Sequence, residues 1–322
     1  MTELERRYLR LLHAYPVDYR RSRGAEIVGT YLELADPGRR WPSPADAADV
    51  VRAGLRQRVR ATGAAGLLPG VRLAAALALL TATALAGVWM VLELRPAPTA
   101  GFGEPTLGPF ISLGIGAWTA WGLAALVHAL APGRWARRAV AFAVLLTAAL
   151  VPVAALTGLP RPPLFVLLPQ LGLGLVALGA ADGLPASLRA APLVAVSGAG
   201  VLGAILLSPN VFASSYHTWT VVPVLPTAAV VVLAVSVLLG AGLALRGDLR
   251  GGWALLILLT PVGLLALHPL AGAFDSMPAE FVPSWTALAA TTAVVVLVGP
   301  ALLPLALAVR SRFTPNPDPL PR

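Results

Sequence analysis

Long uncharged stretches follow one another along most of the chain and predict helices that cross a membrane. The stretch of 56 uncharged residues at 190–245 is long enough for two helices joined by a loop at 208–220. About 20 apolar residues cross the roughly 30 Å hydrocarbon core of a bilayer as a helix. The pattern predicts eight spans, at residues 72–93, 109–131, 139–159, 163–181, 190–208, 221–245, 251–270 and 285–309.

The first 62 residues show a different pattern, in which apolar residues recur at steps of three and four between charged ones. This period predicts three helices, over about 4–15, 18–35 and 43–61. Ser43 can cap the third helix, with Pro44 in its first turn and Asp46 beside its positive end. Half of the 24 Arg residues lie in residues 1–70, so this segment is expected to lie in water.

Composition supports a membrane protein. Hydrophobic residues make up 57% of the 322 residues and charged residues 12%, against about 25% charged residues in soluble domains. The fold class is therefore all-α, a polytopic transmembrane helix bundle with a small N-terminal domain. The predicted organisation is a cytoplasmic three-helix domain at 1–62, a linker at 63–71, the eight-span bundle at 72–309 and a disordered cytoplasmic tail at 310–322.

The positions of the Arg residues predict the orientation. With the amino terminus in the cytoplasm, the cytoplasmic loops carry Arg134, Arg137, Arg138, Arg189, Arg246 and Arg250, and the outer loops carry Arg95 and Arg161. Cytoplasmic loops of membrane proteins are enriched in Arg and Lys. The sequence predicts a multi-pass protein of the cytoplasmic (inner) membrane with both termini inside. The lipid bilayer is then its first partner, and the net charge of +9 does not indicate nucleic acid.

Arg52, Arg56 and Arg60 share one face of the third predicted helix, shortly before the first span. Anionic headgroups attract each juxtamembrane Arg by about 1 kcal/mol, which predicts contact with membrane phosphates. A patch for an acidic partner and a solvated charged face are the two alternatives.

Several short motifs occur in order within residues 1–62: Tyr15-Pro16, Arg20-Arg21, Gly24-x-Glu26 and Gly54-Leu55-Arg56. In these, the segment resembles the N-terminal cytoplasmic HAAS-type signalling domain of actinobacterial integral membrane proteins, which are often encoded beside PadR-type transcription regulators. The resemblance implies a regulatory or signalling role, with no catalytic residues. On this interpretation, a cytoplasmic protein partner would meet the surface around Tyr15, Tyr19 and Trp41.

No catalytic or cofactor motif is found in a suitable context. Gly198, Gly200 and Gly203 match G-x-G-x-x-G but follow no strand, and small residues at this spacing let helices pack closely. Ionisable residues such as Glu93 fall near span ends rather than mid-span, so no proton relay is predicted. The chain has no Cys, which excludes thiolate metal sites. We predict neither an enzyme nor a cofactor or metal site.

Two groups of polar residues are candidate binding sites. Gln170 is the amide most deeply placed in the predicted bundle, and the alternative is that it bonds to its own backbone or to a neighbouring helix. Glu104, Asp275 and Glu280 are predicted outside, where they could form a ligand surface together with Glu93, Tyr216, His217 and Trp219. The alternative there is that topology alone leaves acidic residues outside.

Two functions follow from these observations. The leading hypothesis is a non-enzymatic regulatory or signalling partner that acts through its N-terminal cytoplasmic domain. The alternative is a transporter or permease subunit with a substrate cavity near Gln170.

Overall fold

The computed structural model describes residues 2–36, 39–61, 67–94, 107–180, 188–207, 216, 222–275 and 283–313. These residues form twelve α-helices, so the all-α prediction is confirmed. The helices are α1 Glu3–Leu11, α2 Val17–Glu33, α3 Pro44–Ala61, α4 Leu67–Glu93, α5 Gly114–Leu130, α6 Arg134–Thr157, α7 Leu164–Ala177, α8 Ala191–Leu207, α9 Val224–Ala244, α10 Arg250–Leu265, α11 Leu267–Phe274 and α12 Trp285–Phe313.

The chain divides into two compact units. One contains the N-terminal helices up to Leu67 together with the chain from Pro304, and the other runs from Leu68 to Leu303. We call them the N-terminal unit and the bundle unit.

The N-terminal unit has its own small core, because the three helices bury the apolar faces that the spacing predicted. The buried residues are Leu4, Tyr8, Leu12, Tyr15, Val28 and Val50. The amide of Asp46 donates to Ser43 Oγ at 3.0 Å, which confirms the predicted cap. A capping box between Thr2 and Glu5 begins α1. Leu34, the residue that follows the last residue of α2, is exposed.

Two tyrosine–aspartate hydrogen bonds tie α1 and α2 to α3. The Tyr8 hydroxyl donates to Asp46 at 3.3 Å, and the Tyr31 hydroxyl donates to Asp49 at 2.7 Å. The two phenol rings stack on each other, with centroids 5.4 Å apart. The neutral phenol is the form that donates these bonds, so they hold only while the tyrosines are protonated.

Raising the pH above 10 is expected to loosen the N-terminal unit. The hydrogen bond to Asp49, followed by burial, raises the pKa of Tyr31 well above its ordinary value of 10.0. A raised folded-state pKa favours the protonated form, so its contribution to stability is complete below pH 10.0 and is lost as the pH rises through the raised pKa. Asp49→Asn should bring the pKa of Tyr31 back toward its ordinary value. The measurement is phenolate absorbance of the full chain against a Tyr31→Phe reference.

The matched control for this titration is Asp18→Asn, an exposed carboxyl on α2, which should leave the Tyr31 transition in place. Equal transitions in Asp49→Asn and in the unaltered chain would contradict the prediction.

A close contact joins α3 to the 3-10 turn that follows α1. A Cβ at Gly54 would lie 2.7 Å from Ala14 Cβ and 2.8 Å from Tyr15 Cδ2. Real side-chain atoms do not approach so closely, so glycine is needed for this packing.

Helices coincide with all eight predicted spans in the bundle unit. Four of them, α4, α6, α9 and α12, are long and apolar enough to cross a membrane, and α10 with α11 makes a fifth candidate if the pair is one span. The other three, α5, α7 and α8, have 17, 14 and 17 residues. The structure therefore supports four or five candidate spans, and the count of eight stays a prediction.

The predicted boundaries differ from the observed ones at both ends of the bundle. Helix α4 begins at Leu67, inside the expected linker, because Pro69 falls in its first turn, where proline is tolerated. Helix α12 runs to Phe313, four residues into the expected tail, because the first helix-breaking residue there is Pro315. The remaining residues of the predicted linker and tail lie outside the described ranges.

The span predicted at 251–270 is broken. Helices α10 and α11 meet at Ala266 with a bend of 62°. Pro269 lacks an amide hydrogen to donate to the carbonyl of Leu265, and its ring clashes with that carbonyl, which favours a kink or a break at this point.

Small residues bring α4 and α8 together. A Cβ at Gly87 would collide with the backbone carbonyl of Val196, and Gly203 packs on Val88. Gly200 lies against Gly87, whereas Gly198 faces open space. Two of the three glycines in the G-x-G-x-x-G match thus serve helix packing, as predicted.

Candidate functional site

An exposed tryptophan of the N-terminal unit lies beneath a guanidinium group. Trp41 is 68% exposed, and the Arg7 Cζ atom lies 3.0 Å from the centroid of its ring. Arg7 Nη2 also donates to Glu3 at 3.1 Å, so the guanidinium is held from two sides. We call Glu3, Arg7 and Trp41 the Arg7–Trp41 surface.

The chemistry of this surface suits protein contact. An exposed cation–π pair contributes about 0.5–1 kcal/mol, which restricts the motion of both side chains before any partner arrives. Tryptophan and arginine are also the residue types enriched at binding hot spots. The sequence identified Trp41, but Arg7 was missed because it lies 34 residues earlier and no motif connects the two.

The other two residues of the predicted partner surface, Tyr15 and Tyr19, are less exposed than Trp41. Tyr15 is 5% exposed and belongs to the core. Tyr19 is half-buried and stacks on Tyr15, with ring centroids 5.5 Å apart. Of the three predicted residues, Trp41 is the one with an exposed ring.

The predicted membrane-contact arginines all lie on α3. Arg52 is exposed, whereas the side chains of Arg56 and Arg60 are outside the described part of the chain. The continuous helix from Pro44 to Ala61 puts the three positions on one face, as their spacing of four predicts. Their contact with phosphates stays a prediction.

Gln170 joins two helices inside the bundle unit. Its side chain is fully buried, and Nε2 donates to the carbonyl of Ala82 at 3.0 Å. The bond from α7 to the α4 backbone corresponds to the alternative in which the amide serves packing. Its Oε1 has no hydrogen-bond partner among the described residues.

Of the three carboxylates Glu104, Asp275 and Glu280 of the predicted outer ligand surface, Asp275 is described. Asp275 accepts from the Ser284 amide at 2.7 Å and from Ser284 Oγ at 2.9 Å, so it joins the end of α11 to the start of α12. Glu104, His217, Trp219 and Glu280 lie outside the described residues, and the surface they would form with Asp275 stays a prediction.

A buried acidic cluster lies at the end of α4. Glu93 is completely buried. Its Oε2 accepts from the Ser112 amide at 2.8 Å, and its Oε1 accepts from both Ser112 Oγ and the Tyr216 hydroxyl at 2.5 Å. The Trp118 indole donates to the Tyr216 oxygen at 3.0 Å. We call Glu93, Ser112, Trp118 and Tyr216 the Glu93 cluster.

There is no space for a larger residue than glycine at position 114, beside the Glu93 cluster. A Cβ at Gly114 would lie 2.6 Å from Glu93 Oε1 and 2.6 Å from Pro162 Cγ. Burial, followed by the charge of Glu93, raises the pKa of the Tyr216 phenol well above its ordinary value, so the phenol remains a donor. A buried carboxylate is costly unless donors satisfy it, and three donors do so here.

The sequence placed Glu93 and Tyr216 on one side of the membrane, and the structure brings them together. It does so inside the protein rather than on a surface. Ser112 and Trp118 were missed in the sequence analysis. The spacing of residues along the chain does not indicate which side chains near the end of a span point into the protein.

Comparison with known proteins gives no family assignment: no family model, curated protein or solved structure matches this chain. In the part of the chain that the structure describes, no three His, Asp or Glu side chains are grouped to hold a metal ion. What the fold defines is a helical protein with four or five candidate membrane spans. These spans indicate contact with a lipid bilayer.

Proposed function

We propose that this protein is a non-enzymatic regulatory or signalling partner of the cytoplasmic membrane, and that its N-terminal unit binds a cytoplasmic protein. The observation that carries the proposal is the Arg7–Trp41 surface, where a large exposed ring is held beneath a guanidinium group. The unit around it has a separate core, which can present this surface without rearranging. The resemblance to HAAS-type domains supports the same function.

The proposed threading has eight spans, with both chain ends in the cytoplasm. Its support is that a helix coincides with each predicted span. Helix α7 is extended by a 3-10 turn to Ala180, which lengthens the shortest of the eight. Arg52, Arg56 and Arg60 would then meet phosphates of the inner leaflet.

The alternative, a transporter or permease subunit, has less support. The bond from Gln170 to Ala82 gives the amide a packing role and leaves one oxygen for a substrate. We therefore propose signalling rather than transport.

Truncation of Trp41 is expected to weaken partner contact strongly. In native membranes, full-length protein with a photo-crosslinking residue at exposed Arg40 should give a discrete adduct with a cytoplasmic protein. Trp41→Ala should lower the yield about thirtyfold, since truncating a hot-spot residue costs about 2 kcal/mol or more. Arg7→Ala should lower it less, because it removes the guanidinium but leaves the ring.

The matched control is Leu34→Ala, which truncates another exposed apolar side chain of the same unit, 77% exposed. It should leave the adduct unchanged. Equal yields from Trp41→Ala and Leu34→Ala, or no adduct at all, would contradict the proposed role of this surface.

A further inference from the structure

A groove opens in the bundle unit between the end of α6, the turn after it and the start of α12. Its volume is 670 Å³, and its lining is mostly apolar; Ala155, Leu164, Phe165, Trp285, Leu288 and Arg161 contribute to it. The turn exists because α6 ends at Gly158, whose φ of 69° is left-handed and favours glycine. We call this cavity the Arg161 groove.

Among the described residues that line the groove, Arg161 carries the charge. Its side chain is partly buried, and Nη1 donates to the carbonyl of Pro162 at 3.0 Å. Within the described ranges, no carboxylate lies within 4.0 Å of it to form an ion pair. The backbone bond fixes one edge of the guanidinium and leaves other N–H donors for an anion.

The rest of the groove suits an alkyl chain. Phe165 and Leu288 supply apolar walls, and Trp285, which is 68% exposed, lies at the start of α12. Tryptophan rings prefer the level of the lipid headgroups. The Arg161 groove combines apolar walls, a cation and an interfacial tryptophan ring. It therefore matches a molecule that has a long hydrocarbon tail and an anionic head.

We propose that the Arg161 groove binds a phospholipid, with one acyl chain along the apolar walls and the phosphate on the Arg161 guanidinium. The planar guanidinium presents paired donors that match phosphate oxygens. The volume is in the range of about 300–1,000 Å³ that small-molecule sites occupy. This site depends on the membrane location of the bundle and is independent of the proposed signalling role.

Among the described residues, the carboxylate of Asp275 must be considered as a competing partner for Arg161. Asp275 bonds to Ser284, the residue between Pro283 and Trp285 of the lining. Both of its oxygens accept hydrogen bonds from Ser284, which holds the carboxylate at the start of α12. The phosphate of the lipid therefore pairs with Arg161, which has no carboxylate partner among the described residues.

The experiment uses the purified full-length protein in mild detergent and native mass spectrometry. The probes are dioleoyl phosphatidylglycerol, dioleoylglycerol, which has the same chains without phosphate, and glycerol phosphate, which has the head without chains. The unaltered protein should retain one phosphatidylglycerol and neither of the other probes. Arg161→Gln should weaken retention about tenfold, as loss of a charge-assisted hydrogen bond does, and Arg161→Lys should weaken it less.

Two tryptophan substitutions on α6 test the groove itself. Ala155→Trp would fill it and should abolish retention, whereas Leu156→Trp, at a position 86% exposed and outside the lining, should not. Equal retention by these two variants would overturn the site. Equal retention of phosphatidylglycerol and dioleoylglycerol, or full retention by Arg161→Gln and Arg161→Lys alike, would overturn the role of Arg161.

Discussion

Gly87→Ala is expected to lower the free energy of unfolding of the bundle unit by about 2–3 kcal/mol, near the upper end for overpacking a core. The added Cβ would collide with the backbone carbonyl of Val196 on α8 and would lie 3.1 Å from the Gly200 nitrogen. A flexible side chain could move aside, but a helix backbone can do so only if α4 and α8 separate. Separation would also expose the contact between Gly203 and Val88.

Denaturant unfolding of the purified protein, followed by near-ultraviolet circular dichroism, measures this loss. The control is Gly198→Ala on α8, where an added Cβ meets nothing within 4 Å. It should be neutral or slightly stabilising, because alanine is a better helix former than glycine. Equal stability of the two variants would show that the α4–α8 contact is not as close as described.

The positions of the helices could be predicted well from the sequence, because they depend on local properties. The apolar stretches contain the helices, and Ser43 with Pro44 marks the start of α3. The bend at Ala266 was missed although its cause, Pro269, is local. An uninterrupted apolar stretch indicates that a segment is buried, but it does not show that the helix is continuous.

The candidate sites depend on long-range contacts and could be predicted only in part. Tyr216 is 123 residues from Glu93, and Arg7 is 34 residues from Trp41. Hydropathy assigns each residue to a side of the membrane or a face of a helix. It does not say which residues of that side converge, because convergence is decided by how the helices pack.

Glu93→Ala is expected to cost about 3–5 kcal/mol of stability, the largest effect of any substitution proposed for this chain. The change removes the acceptor for the Ser112 amide, Ser112 Oγ and the Tyr216 hydroxyl while all of them remain buried. An unsatisfied buried donor costs about 1–3 kcal/mol, and breaking one side of a buried charged interaction has a cost in the predicted range. Thermal and denaturant unfolding in the same detergent measure the loss.

The matched control is Asp275→Asn. Asp275 also accepts two hydrogen bonds from one serine, but those bonds are exposed, so water can replace them. Its replacement should cost about 1 kcal/mol. A similar cost for Glu93→Ala and Asp275→Asn would mean that water reaches Glu93.

A double-mutant cycle keeps the test decisive if Glu93→Ala does not fold. Glu93→Gln retains one acceptor oxygen, and Tyr216→Phe removes one donor, so each single variant should be milder than the alanine variant. Because the two side chains share a hydrogen bond, the double variant should lose less than the sum of the single losses, with an interaction energy of about 1–3 kcal/mol. Additive losses would show that the Glu93 carboxylate gains nothing from Tyr216 beyond what a neutral amide gains, and that the carboxylate has another donor. Coupling would show instead that Tyr216, from the chain between α8 and α9, holds the end of α4 through the buried carboxylate.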